Sequence, residues 1–334
     1  MTPASPPAEP SFARAQQQLN AVCAALDRVI VGQRDLVAGI VTAVFAGGHV
    51  LMEGLPGLGK THLAKALAAA LGLQWSRVQC TPDLMPADVT GSEVYSTGRD
   101  GTSSFVFRPG PVFAQLVLVD EINRATPRTQ SALLEAMQEM QVTHAGTSRP
   151  LPQPFCVLAT QNPIELEGTY PLPEAQLDRF MFKLRVPYPD SASLRALLDV
   201  SLYAEPANSL PAVLEPSDVP AIAALCRSVL VAERCKQAAI ALVLATQPSI
   251  ARDDTSARQH IRYGASPRAL QSLIRAARVR AVMSDRSHLD VDDLAAVALP
   301  TLRHRVLLRL ESELEGLDAD TVLAGLVDQW RRES

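Results

Sequence analysis

An eight-residue stretch, Gly54-Leu55-Pro56-Gly57-Leu58-Gly59-Lys60-Thr61, fits the pattern G-x-x-x-x-G-K-[ST] and leaves the surrounding chain little freedom. It follows the apolar run His49 to Glu53 and opens a helical pattern from Lys60 to Leu71. Strand, glycine-rich turn, helix is the context this pattern needs. The glycines let successive backbone N–H groups curl round a phosphate, and the helix N-terminus adds a positive dipole end. Lys60 would reach the β- and γ-phosphates, and the Thr61 hydroxyl would ligate Mg²⁺. His62 would sit beside the nucleotide without ligating metal. The bland alternative is a glycine-rich turn that caps a helix. Lysine is scarce, four (Lys60, Lys65, Lys183, Lys236) among 31 basic residues, so a lysine here is hard to credit to chance.

From Val50 to Val186 short apolar runs alternate with helical patterns, which predicts a parallel sheet covered by helices on both faces. Gln115 to Val119 reads as a strand buried on both faces, and it ends in Asp120-Glu121. Asp120 would hold Mg²⁺ through water, and Glu121 would polarise the attacking water. Strands often end in acids at a solvated edge, so this pair gains its meaning from the phosphate loop upstream. Asn162 ends the next buried run and would position the water, unless Asn162-Pro163 only starts a turn. Arg179 could satisfy helix carbonyls or act as an arginine finger on a neighbour's nucleotide. Ser266-Pro267 reads as an ordinary helix start, with Arg268 behind it able to reach the cleft between two domains. Two stretches break the rhythm. Gly91 to Phe107 and Gln141 to Pro152 read as inserted hairpins, and such additions often carry function.

Composition excludes several classes. The net charge of −4 argues against a nucleic-acid coat. No apolar run reaches the roughly 18 residues that suggest a membrane-spanning helix. Five dispersed cysteines without C-x-x-C spacing read as reduced thiols, and a cytoplasmic location follows. The six histidines lack metal-ligand spacing. Arg303, Arg305 and Arg309 with His304, and likewise Arg275, Arg278 and Arg280, read as solvated helix faces. Residues 1–10, with four prolines, read as a disordered tail; 11–188 as an α/β core with N-terminal helices; and 189–334 as a helical second domain.

Taken together, the residues from Asp120 to Ala125, Gln130 to Glu139, Ala159 to Pro163 and Glu167 to Phe180 resemble the MoxR family of AAA+ ATPases. Gly91-Ser92-Glu93 and Phe107 to Pro111 also resemble it. The resemblance implies a parallel five-stranded core of order 5-1-4-3-2, two β-hairpin inserts and an all-helical lid. It implies Asn162 as sensor 1, Arg179 as arginine finger, Arg268 as sensor 2, and Val31-Gly32 as the segment packed on adenine. It further implies ATP hydrolysis with Mg²⁺, a hexameric ring, and chaperone-like work on partners that often carry a von Willebrand factor A domain. The alternatives are a magnesium-chelatase-like or helicase-like ring motor, and a nucleotide-gated scaffold with little turnover. A helicase would be expected to carry basic residues on the second hairpin, which offers only Arg149 and His144.

Overall fold

The computed structural model describes residues 11–97, 103–164, 168–195, 198, 210–250 and 256–333. The tail at 1–10 lies outside them. Two helices open the described chain, α1 (Phe12–Asp27) and α2 (Arg34–Phe45). The core sheet is built from β1 (Val50–Glu53), β2 (Trp75–Gln79), β5 (Leu116–Asp120), β8 (Cys156–Gln161) and β9 (Phe182–Arg185). Its order is β2-β5-β8-β1-β9 and every pairing is parallel, which is the expected 5-1-4-3-2. The alanine-rich α3 (Lys60–Ala70) leaves β1, and α5 (Pro127–Glu139) follows β5. Thr126 caps α5 and Pro127 takes its first turn, where a missing N–H costs nothing. β5 is buried along its whole length, while β2, at the sheet edge, is largely open on the site side.

Both inserts are hairpins. After the short α4 (Pro86–Thr90), β3 (Gly91–Thr97) pairs with β4 (Ser103–Pro109). Before β8, β6 (Gln141–His144) pairs with β7 (Thr147–Pro150). The hairpins touch each other: the Arg149 guanidinium lies 4.0 Å over the Phe107 ring, and His144 is tilted against the same ring.

A short helix α6 (Glu174–Leu177) precedes β9. The lid then follows as α7 (Asp218–Ser228), α8 (Glu233–Ala245), α9 (Ser256–His260), α10 (Pro267–Met283), α11 (Val291–Leu302), α12 (Leu310–Leu314) and α13 (Ala319–Glu333). Among the described residues it is helical apart from an antiparallel ladder of β10 (Ile261–Tyr263) and β11 (Leu307–Leu308) and a bridge between Leu230 and His288. One apolar cluster runs from α1 through α2 and α3 across one sheet face into α10, α11 and α13; a second fills the other face under α5.

The seam between lid and sheet overturns the solvated-face reading of the basic stripe. Arg305 is buried: its Nε donates to Asp178 Oδ1 at 2.7 Å, and its other nitrogens donate to the carbonyls of Asp178, Phe180, Met181 and Thr301. His304 is buried and bonds the Phe180 carbonyl. Arg275 donates to the carbonyls of Ala46 and Gly47 at the C-terminus of α2. Ser266 caps α10 as expected and also donates to the Asp178 carboxylate at 2.8 Å. Six carbonyls and a carboxylate anchor these two guanidinium groups, Arg305 out of water and Arg275 at the surface, which periodicity alone does not reveal.

Removing the charged head of Arg305 takes the ion-pair partner from Asp178 and one donor from each of four carbonyls. Arg305→Met should lower unfolding free energy by about 3–5 kcal/mol, whereas the exposed Arg309→Met should change it little; urea denaturation compares the two. A second outcome concerns pH. His49 is buried, accepts from the Val157 N–H at Nδ1 and bonds the Met137 carbonyl through Nε2, and burial drives its pKa from 6.5 to about 4. Burial also drives His304 well below its ordinary value. The unfolded chain therefore binds protons that the folded chain excludes, so stability falls as pH drops from about 6.5 towards 4. His49 alone accounts for about 3 kcal/mol of that fall. Denaturation midpoints at pH 7 and pH 5 measure it, and His49→Gln should flatten the profile.

Candidate functional site

The phosphate loop lies beyond the C-terminal end of β1, in the crevice where the parallel sheet reverses its order of winding. Gly57 and Gly59 adopt φ of +81° and +77°, and a Cβ added at either meets no atom within 4 Å. The loop is thus an open cradle whose left-handed turns only glycine adopts without strain. Lys60 Nζ closes it by donating to the Gly54 carbonyl at 2.6 Å. Burial lowers the Lys60 pKa, and Asp120 and Glu121 oppose that shift.

Asp120 ends β5 facing this loop. Its Oδ2 accepts from the Thr61 hydroxyl at 3.2 Å and from Arg77 of β2, through Nε at 3.0 Å and Nη2 at 2.8 Å. Its Oδ1 accepts from the Thr160 hydroxyl at 2.8 Å. Thr160 in turn accepts from the Glu121 N–H at 2.9 Å, which fixes Glu121 in a left-handed turn with φ of +56°. That turn points the Glu121 carboxylate differently from Asp120. Glu121 Oε2 accepts from Gln79 Nε2 and Arg124 Nη1, each at 3.0 Å. Asn162 is buried at the end of β8, and its Oδ1 accepts from the Ile164 N–H at 3.2 Å, so the NH₂ donor is the half left to face a water or phosphate.

A hydroxyl and a carboxylate oxygen close together suit Mg²⁺, which takes few protein ligands, all oxygen, and completes its shell with water and substrate phosphates. Thr61 and Asp120 fit that requirement. Among the described residues no group of three or more His, Cys, Asp or Glu is placed to hold a metal ion.

A 380 Å³ pocket adjoins the loop, lined by Val29, Ile30, Val31, Gln33, Pro56 to Gly59, His62 and Tyr188. Val31 and His62 line this pocket; Gly32 does not, and it turns the chain there with φ of +75°, where an added Cβ would meet the Ser193 side chain.

Arg179 and Arg268 are not at this cluster. They line a separate 330 Å³ cavity with Gly47, Gly48, His49, Arg275 and Arg305. Gly47 to His49 precede β1, so the cavity lies at the end of the strand opposite the phosphate loop, with about 13 Å of strand between. The sequence leaves open whose nucleotide Arg268 would face; in this fold it lies with Arg179 and not at its own chain's phosphate loop. Arg179 Nε is buried without a hydrogen-bond partner. Sequence reasoning missed Arg77, Gln79, Arg124 and Thr160. Arg77 and Gln79 alternate along β2 and so share a face, but that face becomes meaningful only once β5 is known to lie beside it.

A model of the ATPase family associated with various cellular activities (AAA) matches residues 49–182, and an AAA lid domain model matches 253–324. The chain is 38% identical to Chaperone MoxR1 of Mycobacterium tuberculosis over 89% of this chain and 77% of that protein. It is 41% identical to the uncharacterised protein YeaC of Bacillus subtilis, over 89% of each. A solved structure of a presumed ATPase from Cytophaga hutchinsonii superposes with a TM-score of 0.86 at 37% identity, covering 95% of both chains. A strand-ordered AAA+ core with a helical lid defines the class. The chain belongs to the MoxR family of AAA+ ATPases.

Proposed function

We propose that this protein hydrolyses ATP at sites shared between neighbouring copies and uses the resulting motion to remodel or mature partner proteins. The observation that carries this is the split of one proposed catalytic set over the two ends of the sheet. Lys60, Thr61, Asp120, Glu121 and Asn162 gather at the C-terminal ends of the strands, while Arg179 and Arg268 gather at the N-terminal ends. An arginine finger that cannot reach its own phosphate can serve the next copy's. Such a head-to-tail contact is heterologous and forms a ring where the rotation between copies closes; a ring of six is what the family resemblance suggests. A covering domain at 189–334 on a core at 11–188 would move with each nucleotide cycle.

In this reading the loop N–H groups and Lys60 bind the phosphates, and Val31 and the pocket walls take the base. Bound Mg²⁺ would neutralise developing phosphate charge. Asn162 orients a water and Glu121 accepts its proton as the oxygen attacks the γ-phosphorus, while the bond from that phosphorus to the β,γ-bridging oxygen breaks and ADP leaves. The neighbour's Arg179, with Arg268, then offsets charge on the departing phosphoryl oxygens. The first hairpin exposes Val94, Tyr95, Phe105 and Val106, which supports contact with a protein client. A partner with a von Willebrand factor A domain is the candidate that the resemblance offers. Arg149 and His144 are engaged on Phe107 within the hairpin pair, which weighs against a helicase that would need them for phosphates. Five free thiols support a reducing, cytoplasmic setting.

Turnover per subunit, measured with Mg²⁺ against protein concentration, tests the reading. It should rise with concentration and level off as copies assemble. Arg179→Ala should remove at least about 10³-fold of the plateau, the scale of an arginine finger, with ATP binding retained. A flat specific rate from a monomer in sizing would contradict it.

A further inference from the structure

Arg77 offers a positive charge to the carboxylate expected to hold the metal. Both of its donors, Nε at 3.0 Å and Nη2 at 2.8 Å, converge on Asp120 Oδ2. That is the oxygen facing the Thr61 hydroxyl. Arg77 reaches it from the edge strand β2, where its register partner is Leu118, two residues before Asp120. Nη2 also donates to Gln79 Oε1 at 2.8 Å, which fixes the plane of the guanidinium. The Asp120 side chain is only 11% exposed, whereas that of Arg77 is 46% exposed. The guanidinium can therefore turn towards water at small cost, while the carboxylate has nowhere else to go.

We propose that Arg77 is an internal competitor of Mg²⁺ at Asp120, a positioning residue that sets how strongly metal and nucleotide binding depend on each other. The inference rests on the ATP and magnesium reading above. Two cations directed at one carboxylate oxygen repel each other, and a bound metal ion dominates the local charge. With Arg77 in place, Asp120 is already neutralised when no metal is present. Phosphates can then approach without meeting a bare carboxylate, and the metal adds less. Without Arg77, metal-free nucleotide meets an uncompensated negative charge, and the metal becomes far more important. An ordinary edge-strand ion pair would leave this dependence unchanged, since exposed pairs contribute little.

The test uses the full chain and a ribose-labelled, non-hydrolysable ATP analogue. Its dissociation constant is measured by fluorescence anisotropy in EDTA and again in saturating Mg²⁺, and the ratio of the two reports the coupling. Arg77→Gln should weaken binding in EDTA and raise the ratio at least about fivefold, the lower end of ordinary coupling between sites. Arg77→Met should do the same and serves if the glutamine variant does not fold. Arg77→Lys, which keeps the charge without the fork, should stay near the wild-type ratio. A ratio unchanged or lowered in the glutamine and methionine variants overturns the inference while leaving the ATP reading intact. A lysine variant as altered as the glutamine variant also overturns it, because geometry and not charge would then be at work. A wild type that binds no analogue with Mg²⁺ overturns the ATP reading and this inference together.

Discussion

The carboxylate of Asp120 is the point on which the rest of the arrangement depends. Three strands and one helix deliver groups to it: Thr61 from α3, Arg77 from β2, and Thr160 from β8, with Asp120 itself at the tip of β5. The three strands are held in register by parallel ladders whose order no short segment decides alone. Thr160 then passes the constraint on, because the hydroxyl that donates to Asp120 also accepts from the Glu121 N–H. A buried carboxylate with both oxygens engaged is rigid, and rigidity at the proposed metal-binding acid fixes the direction of the acid beside it.

The other end of the sheet is organised by the opposite charge. Arg305 is sunk among carbonyls and bonded to Asp178, the residue immediately before Arg179. Lid and core therefore meet at the segment that presents the proposed finger. Ser266, which begins the helix carrying Arg268, is bonded to the same Asp178. A shift of the lid would move both arginines together through one carboxylate. This gives the ring reading a mechanical link: closure of the lid in one copy adjusts what that copy offers to its neighbour's phosphates.

Much of this was legible in the sequence, for a physical reason that differs by element. The phosphate loop is local, so its glycines, Lys60 and Thr61 declare themselves within eight residues. The run ending in Asp120 reads as a strand because a strand buried on both faces must be apolar throughout. The two hairpins showed as β-rich arms around small turn residues. Strand order came only with the family resemblance, since crossovers and not local propensity decide it. Arg77 and Gln79 were illegible because Trp75 to Gln79 is an edge strand of mixed polarity, and nothing in it names its neighbour. Arg305 was misread because an Arg-His-Arg run normally faces water; its partner Asp178 lies 127 residues away. Whose nucleotide Arg268 would face stays open in the sequence, which gives the start of its helix but not which end of the sheet that start faces.

The central claim is that one chain supplies the acids and the next supplies the arginines. Mixing two defective variants tests it most directly. Glu121→Gln cannot accept the proton, and Arg179→Ala cannot stabilise a neighbour's phosphate, so each alone should be inactive. In a mixed assembly, some sites pair an intact Glu121 with an intact Arg179 from the adjacent copy. Turnover in the mixture well above the sum of the separate variants is the result this account predicts. A mixture that co-assembles yet stays as inactive as its components would show that both residues must belong to one chain, and would contradict it.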